Sequence, residues 1–134
     1  MIQNKENEKL FDVVGVGNAI VDVIAEVEES FVEKQNLIKG SMSLISAERS
    51  AEMYEVMPAG TEMAGGSAAN TMVGIAQLGG SASYIGKISD DHLGQVFREG
   101  MLKAEVNFSC DMDEDLPTGR CLIQVTPDAQ RTMR

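Results

Sequence analysis

The feature that most constrains this chain is an alternation. Between residues 11 and 109, short β-branched runs that close on glycine take turns with stretches whose apolar residues recur at helical spacing. Residues 11–17 read as a buried strand ending at Gly15 and Gly17. Residues 18–27 continue extended, with polar residues set among apolar ones, and residues 28–37 carry Phe31 and Val32 in a short helix. Ser46 is placed to cap a helix over 47–57, which Pro58 and Gly60 end. Ala69, Met72, Val73 and Ala76 predict a helix that stops at Gly79-Gly80. A strand over 82–88 follows, then a helix from Asp90 and Asp91 to about Lys103, with its acids where the helix dipole favours them, then a short strand over 106–109. This alternation predicts an α/β fold, a largely parallel sheet flanked by helices.

Two regions do not fit it. Residues 41–45 look like a strand of small polar and apolar residues. Residues 117–134 read as a turn, a strand over 122–125, a turn with Pro127 at its second position, and a strand from 130. They predict a small separate β lid. The polar residues 1–10 read as a disordered tail, and 11–134 as one folded unit.

Composition narrows the partners. Aromatic residues make up 4%, so the core must rest on Val, Ile, Leu, Ala and Met, with the nine Met acting mainly as filler. The net charge of -10 argues against nucleic acid and anionic membranes as partners. No signal-peptide core and no apolar run of membrane-span length occurs, so the expected location is cytoplasmic. Cys110 and Cys121 stand eleven positions apart and His92 is the single histidine. That set does not make a zinc site, so no metal is expected and the thiols are expected reduced.

Three places could carry chemistry. Gly15 and Gly17 follow a strand, but Ile20 stands where a dinucleotide fingerprint needs its third glycine. They fit better as a tight turn at a strand's C-terminal end, where open α/β sheets bind ligands. Asn18 and Asp22 could together grip vicinal hydroxyls, since a carboxylate accepts two hydrogen bonds and an amide both donates and accepts. The plainer alternative is a turn-forming Asn18 and a solvated Asp22. Gly65, Gly66, Ser67 and Asn70 form the most informative stretch: two glycines admit a ligand close to the backbone, and a helix then begins with free N–H groups. No Lys or Arg lies in that turn and no P-loop pattern is present, so a neutral polyol suits it better than a phosphate.

These residues resemble the N-terminal signature of the ribokinase/PfkB carbohydrate kinases. The resemblance runs through residues 65–70, 76–79 and 84–94. Gly17-Asn18 with Asp22 is similar to the first substrate motif in the spacing of adenosine kinases. Residues 117–119 and 128–133 look like the family's lid strands. The resemblance implies a ribokinase-like fold of which this chain is the N-terminal part. It implies that Asn18, Asp22, Gly65, Gly66, Ser67 and Asn70 hold the sugar, that Met42, Leu44, Cys121 and Met133 lie on the lid near base or sugar, and that Arg131 reaches the transferred phosphate. ATP and Mg2+ are the implied cofactors of the complete enzyme, adenosine the implied substrate, and a homodimer through exposed lid strands an implied partner arrangement. Ser67, rather than Lys after the glycine pair, leans toward a nucleoside.

The departures matter as much. The family's Gly-Ala-Gly-Asp segment, with its catalytic base and anion hole, does not occur in residues 1–134. The expectation is therefore a substrate-binding portion that is inactive alone. Ribose, fructose or another sugar remains open within the family, as does a non-catalytic nucleoside or sugar binder.

Overall fold

The computed structural model describes residues 9–110 and 112–134. The tail expected over 1–10 lies, up to residue 8, outside the described residues. Among these residues the strands fall into three sheets. The first is parallel and runs β1 (Val13–Val16), β4 (Ala82–Ile85), β6 (Asn107–Phe108). Asp12 sets its register: its carboxylate accepts the Ser81 N–H at 2.9 Å and the Ser81 hydroxyl at 3.0 Å, directly ahead of both strands. Helix α3 (Ser67–Gln77) packs on β1 and β4, with Met72 seated against Gly15. Helix α4 (His92–Lys103) places Leu93, Phe97 and Met101 in the core. Tyr84, Phe97 and Phe108 form an aromatic cluster with centroids 5.2–5.9 Å apart, two pairs tilted and Phe97–Phe108 edge-to-face, as ring quadrupoles prefer over a face-to-face stack.

The second sheet is mixed, in the order β3 (Thr61–Gly65), β2 (Ile20–Glu26), β8 (Gly119–Val125), β9 (Arg131–Met133). Strand β2 pairs antiparallel with β3 and parallel with β8, and β8 pairs antiparallel with β9. Val21, Val23 and Ala25 are buried while Ile20, Asp22 and Ile24 are half-buried, so the sheet has a core face and an open face. This revises the reading of residues 18–27. They form the middle of the lid sheet, not part of the parallel sheet. The sequence marks this region only by the glycine pair that precedes a helix, yet Thr61–Gly65 forms strand β3. Ala and Gly disfavour strands in isolation, and the ladder to β2 supplies what local propensity does not.

The strand expected over 41–45 shrinks to one bridge, Met42 with Met133. The Ser41 carbonyl accepts from Met133 N–H at 2.9 Å and Ser43 N–H donates to Met133 O at 3.1 Å. Beyond Ser43 the chain turns away into α2 (Ala47–Val56), whose first turn is capped by Ser46 Oγ accepting the Arg49 N–H at 3.2 Å. Helix α2 covers the core face of the lid through Met53 and its C-cap residue Met57, whose sulfurs take the Gln124 amide N–H groups at 3.4 and 3.3 Å.

The strand expected over 82–88 splits at Gly86, which packs against the Tyr84 ring, so Ile88–Ser89 forms a separate strand, β5. It pairs with β7 (Met112–Asp113) as the third sheet. In the loop after helix α1 (Glu29–Lys34), the Lys39 ammonium bridges Glu29 at the helix start and Asp128, and so ties the lid's far turn to α1. That turn closes by Ala129 N–H donating to Thr126 O at 2.8 Å.

Candidate functional site

The open face of the lid sheet is ordered by its register, because directly paired residues point to one side. One row is Gly65, Ile20, Gly119; the next is Met63, Asp22, Cys121; the third is Thr61, Ile24, Ile123, Met133, extended by the bridge to Met42. Asp22 is the one charged side chain in these rows. It stands on an apolar floor beside a row bare of side chains at both flanks.

Gly65 makes this arrangement fit. A Cβ at that position would lie 2.6 Å from the Asp22 carboxyl carbon, so only glycine admits the carboxylate there. Burial pushes the Asp22 carboxyl above the usual carboxylate range. Among the described residues it accepts no hydrogen bond. A half-buried carboxylate without donors is costly in a resting protein and ready for a ligand's hydroxyls.

Gly66 follows at φ +91, in the region that side chains disfavour, and caps α3. A Cβ there would press on the Asn18 carbonyl at 3.2 Å, so the Asn18 turn and the glycine pair touch. Ser67 opens α3 and Asn70 lies one turn on, both exposed and on a shared helix face. The structure thus brings Asn18, Asp22, Gly65 and Gly66 together, with Ser67 and Asn70 on the adjoining helix start. Cys121 sits beside Asp22, its thiol pushed up by burial and then by that carboxylate. Met133 and Met42 lie in the next row.

Leu44 and Arg131 stand apart from this group. Leu44 is 97% exposed, past the bridge that ends the sheet. Arg131 pairs with Val125 in the row of Glu26, four residues along the strand from Asp22, or roughly 13 Å at the rise of a strand. Sequence reasoning missed Met63, Thr61 and Ile123 as neighbours of Asp22. Their signal is the period-2 placement of Thr61, Met63 and Gly65, which the glycines obscured.

A groove of about 520 Å³ opens at the C-terminal ends of β1 and β4, between Gly17, Gly86, Lys87 and Cys110. A larger one, about 760 Å³, lies at the far end of the lid by Phe31, Pro58 and Pro127. Size does not make the latter the site, since it holds neither the unpartnered carboxylate nor the glycine turn. No group of three or more His, Cys, Asp or Glu residues that could hold a metal occurs among the described residues. No helix among them is long and apolar enough to cross a membrane.

A parallel sheet with flanking helices, a mixed β lid and a carboxylate on the lid's open face define a ribokinase-like α/β protein. The chain belongs to the pfkB family of carbohydrate kinases, whose family model matches residues 11–134. It is 30% identical over 114 residues to adenosine kinase 2 of Arabidopsis thaliana, covering 81% of this chain and 33% of that protein. Among solved structures it is similar to adenosine kinase from Sinorhizobium meliloti, at 44% identity and a TM-score of 0.75, covering 92% of this chain and 38% of that one. A probable sugar kinase from Rhizobium etli superposes with a TM-score of 0.77 at 40% identity and the same coverage. The chain thus spans about a third of the length of the curated relative it matches.

Proposed function

We propose that this chain is the substrate-binding portion of an ATP-dependent kinase that phosphorylates the primary hydroxyl of adenosine, giving AMP. The observation that carries the reading is the Asp22 carboxylate, seated against Gly65 on an apolar floor and without a hydrogen-bond donor among the described residues. Ribose diols would donate to it. Asn18, Gly66, Ser67 and Asn70 would close the sugar's side. Met42, Met63, Cys121 and Met133 would lie under the base, with Leu44 and Arg131 brought in if the lid closes, Arg131 then toward the phosphate. Similarity to adenosine kinases on both sequence and fold supports the nucleoside over a free sugar.

No recognisable nucleoside-triphosphate motif occurs in residues 1–134. The turn at Gly65–Gly66 has no basic side chain, and the Gly-Ala-Gly-Asp segment is absent. Proton removal from the acceptor hydroxyl and stabilisation of the transferring phosphoryl group therefore fall outside this chain, together with ATP and Mg2+. By itself the chain transfers no phosphoryl group. We place the protein in the cytoplasm, and a homodimer would form through the lid's edge strands.

The test is calorimetric titration of adenosine, ribose and fructose into the protein that contains this chain. Adenosine is expected to bind most tightly. Asp22→Ala is expected to lose about 1.5–3 kcal/mol of that affinity, the scale of a charge-assisted hydrogen bond. Tighter binding of a free sugar would move the substrate to that sugar, and an unchanged affinity in Asp22→Ala would remove Asp22 from the site. The same face with a hydroxyl-bearing ligand and no turnover in the whole protein would make it a non-catalytic binder.

A further inference from the structure

On the core face of the lid sheet, opposite Asp22, one carboxylate is held from two helices. Glu62 lies in β3 in register with Val23, so its side chain points away from Met63 and the ligand face. Glu62 accepts a short hydrogen bond from the Tyr54 hydroxyl of α2 through Oε1. Its Oε2 meets His92 Nε2, at the first residue of α4, at 2.6 Å. The Arg120 guanidinium of β8 stands 5.3 Å from the Tyr54 ring centroid. Asp91, next to His92, is occupied by the amides of Gly94 at 2.7 Å and Thr118 at 2.9 Å, which leaves His92 to Glu62. Burial pushes the Glu62 carboxyl up, and the bonds from Tyr54 and His92 outweigh it, so it titrates below its usual range.

We propose that Glu62 is a positioning residue: its junction with Tyr54 and His92 fixes strand β3 between α2 and α4, and thereby holds Gly65 and Gly66 where they seat Asp22 and the ligand. This rests on the reading of the Asp22 face as the substrate site. An apolar side chain at 62 would fill the same space without the cost of desolvating a carboxylate. What the carboxylate adds is direction, since two donors from separate helices fix its position along and across the strand. A second pin lies two residues on. Gly100 of α4 packs so closely on Ala64 that a Cβ there would fall 2.8 Å from the Ala64 Cβ. Between them the two pins leave β3 little freedom to slide, and the next residue after Ala64 is the glycine that Asp22 leans on.

The experiment combines amide hydrogen exchange over residues 61–66 with adenosine titration, in the protein containing this chain. Glu62→Ala is expected to accelerate exchange at Gly65 and Gly66 and to weaken adenosine about 3- to 10-fold. Glu62→Gln, which still accepts from Tyr54 and can donate to His92, is expected to recover most of both. If Glu62→Ala does not fold, Tyr54→Phe with His92→Ala removes the two donors and leaves the carboxylate, and the same pair of changes is expected. Faster exchange with unchanged affinity, weaker affinity with unchanged exchange, or no change in either overturns the proposal. Should the unaltered protein bind neither adenosine nor a sugar, the substrate reading fails, and unchanged exchange in the variants would separately refute the junction.

Discussion

At the scale of the residue, the candidate site holds one group in an unfavourable state. Asp22 has its carboxyl raised by burial, so at pH values between its ordinary and its raised range the folded protein holds more of this proton than the unfolded chain does. Stability contributed by that proton is present at acid pH and is lost as pH climbs from the ordinary Asp range through the raised value. Asp22→Asn should therefore melt at higher temperature than the unaltered protein at neutral pH, with the difference vanishing near about pH 3, below the ordinary value of about 3.9. Thermal melts at the two pH values, without ligand, check this; a variant less stable at neutral pH would show that the carboxylate has a donor. Tyr84 is a second such residue. It is fully buried, and its hydroxyl has no partner among the described residues. Tyr84→Phe should be neutral or stabilising by up to about 1 kcal/mol, because it removes an unpaired polar group and keeps the ring. A loss above that in denaturant unfolding would mean the hydroxyl is satisfied, by water or by ligand.

At the scale of the element, the two helix caps are not equivalent. Ser46 serves α2 alone. Asp91 caps α4 through Gly94 and also holds the Thr118 amide, while the Thr118 hydroxyl accepts the Ser89 N–H at 2.9 Å. Helix α4, strand β5 and the approach to β8 thus meet at one carboxylate. Burial raises its carboxyl, but the Thr118 and Gly94 bonds and Arg120 outweigh this and hold it below the usual range. Ser46→Ala should cost about 1 kcal/mol and Asp91→Ala about 2 or more, since the latter also strands a second amide. The ratio is read by denaturant unfolding, and equal losses would show that the Thr118 contact adds nothing.

At the scale of the molecule, the parallel sheet is narrow and one of its faces is open. Val14, Val16 and Ile85 are exposed, Val16 and Ile85 in the same register pair. Apolar surface of that kind on a sheet face, next to the edge strand β1, invites association. The 134-residue chain expressed alone should bind an apolar dye and self-associate with concentration, and Val16→Thr with Ile85→Thr should reduce both. A monodisperse monomer that excludes the dye would show that these side chains need no cover.

Local sequence by itself determined the α/β class, the capped helices and the glycine turn at 65–66. Each follows from spacing and backbone chemistry within a few residues: apolar periodicity in α3, a capping serine before α2, a positive φ that glycine accepts. The candidate site was legible as residue types, because Asn18 and Asp22 interrupt an apolar run and Ser67 and Asn70 follow a glycine pair at a helix start. What only the tertiary structure decided was which sheet each strand joined. Pairing partners lie far apart in the chain, as Asp22 and Cys121 do, and local propensity carries no term for a ladder. That is why residues 18–27 went to the lid, why β3 formed despite its Glu, Ala and Gly, and why 41–45 kept only one bridge. The lack of a donor for Asp22 among the described residues and the grip on Glu62 belong to the same class. Both depend on which side of a sheet a residue faces, and that is fixed only when the strands have met.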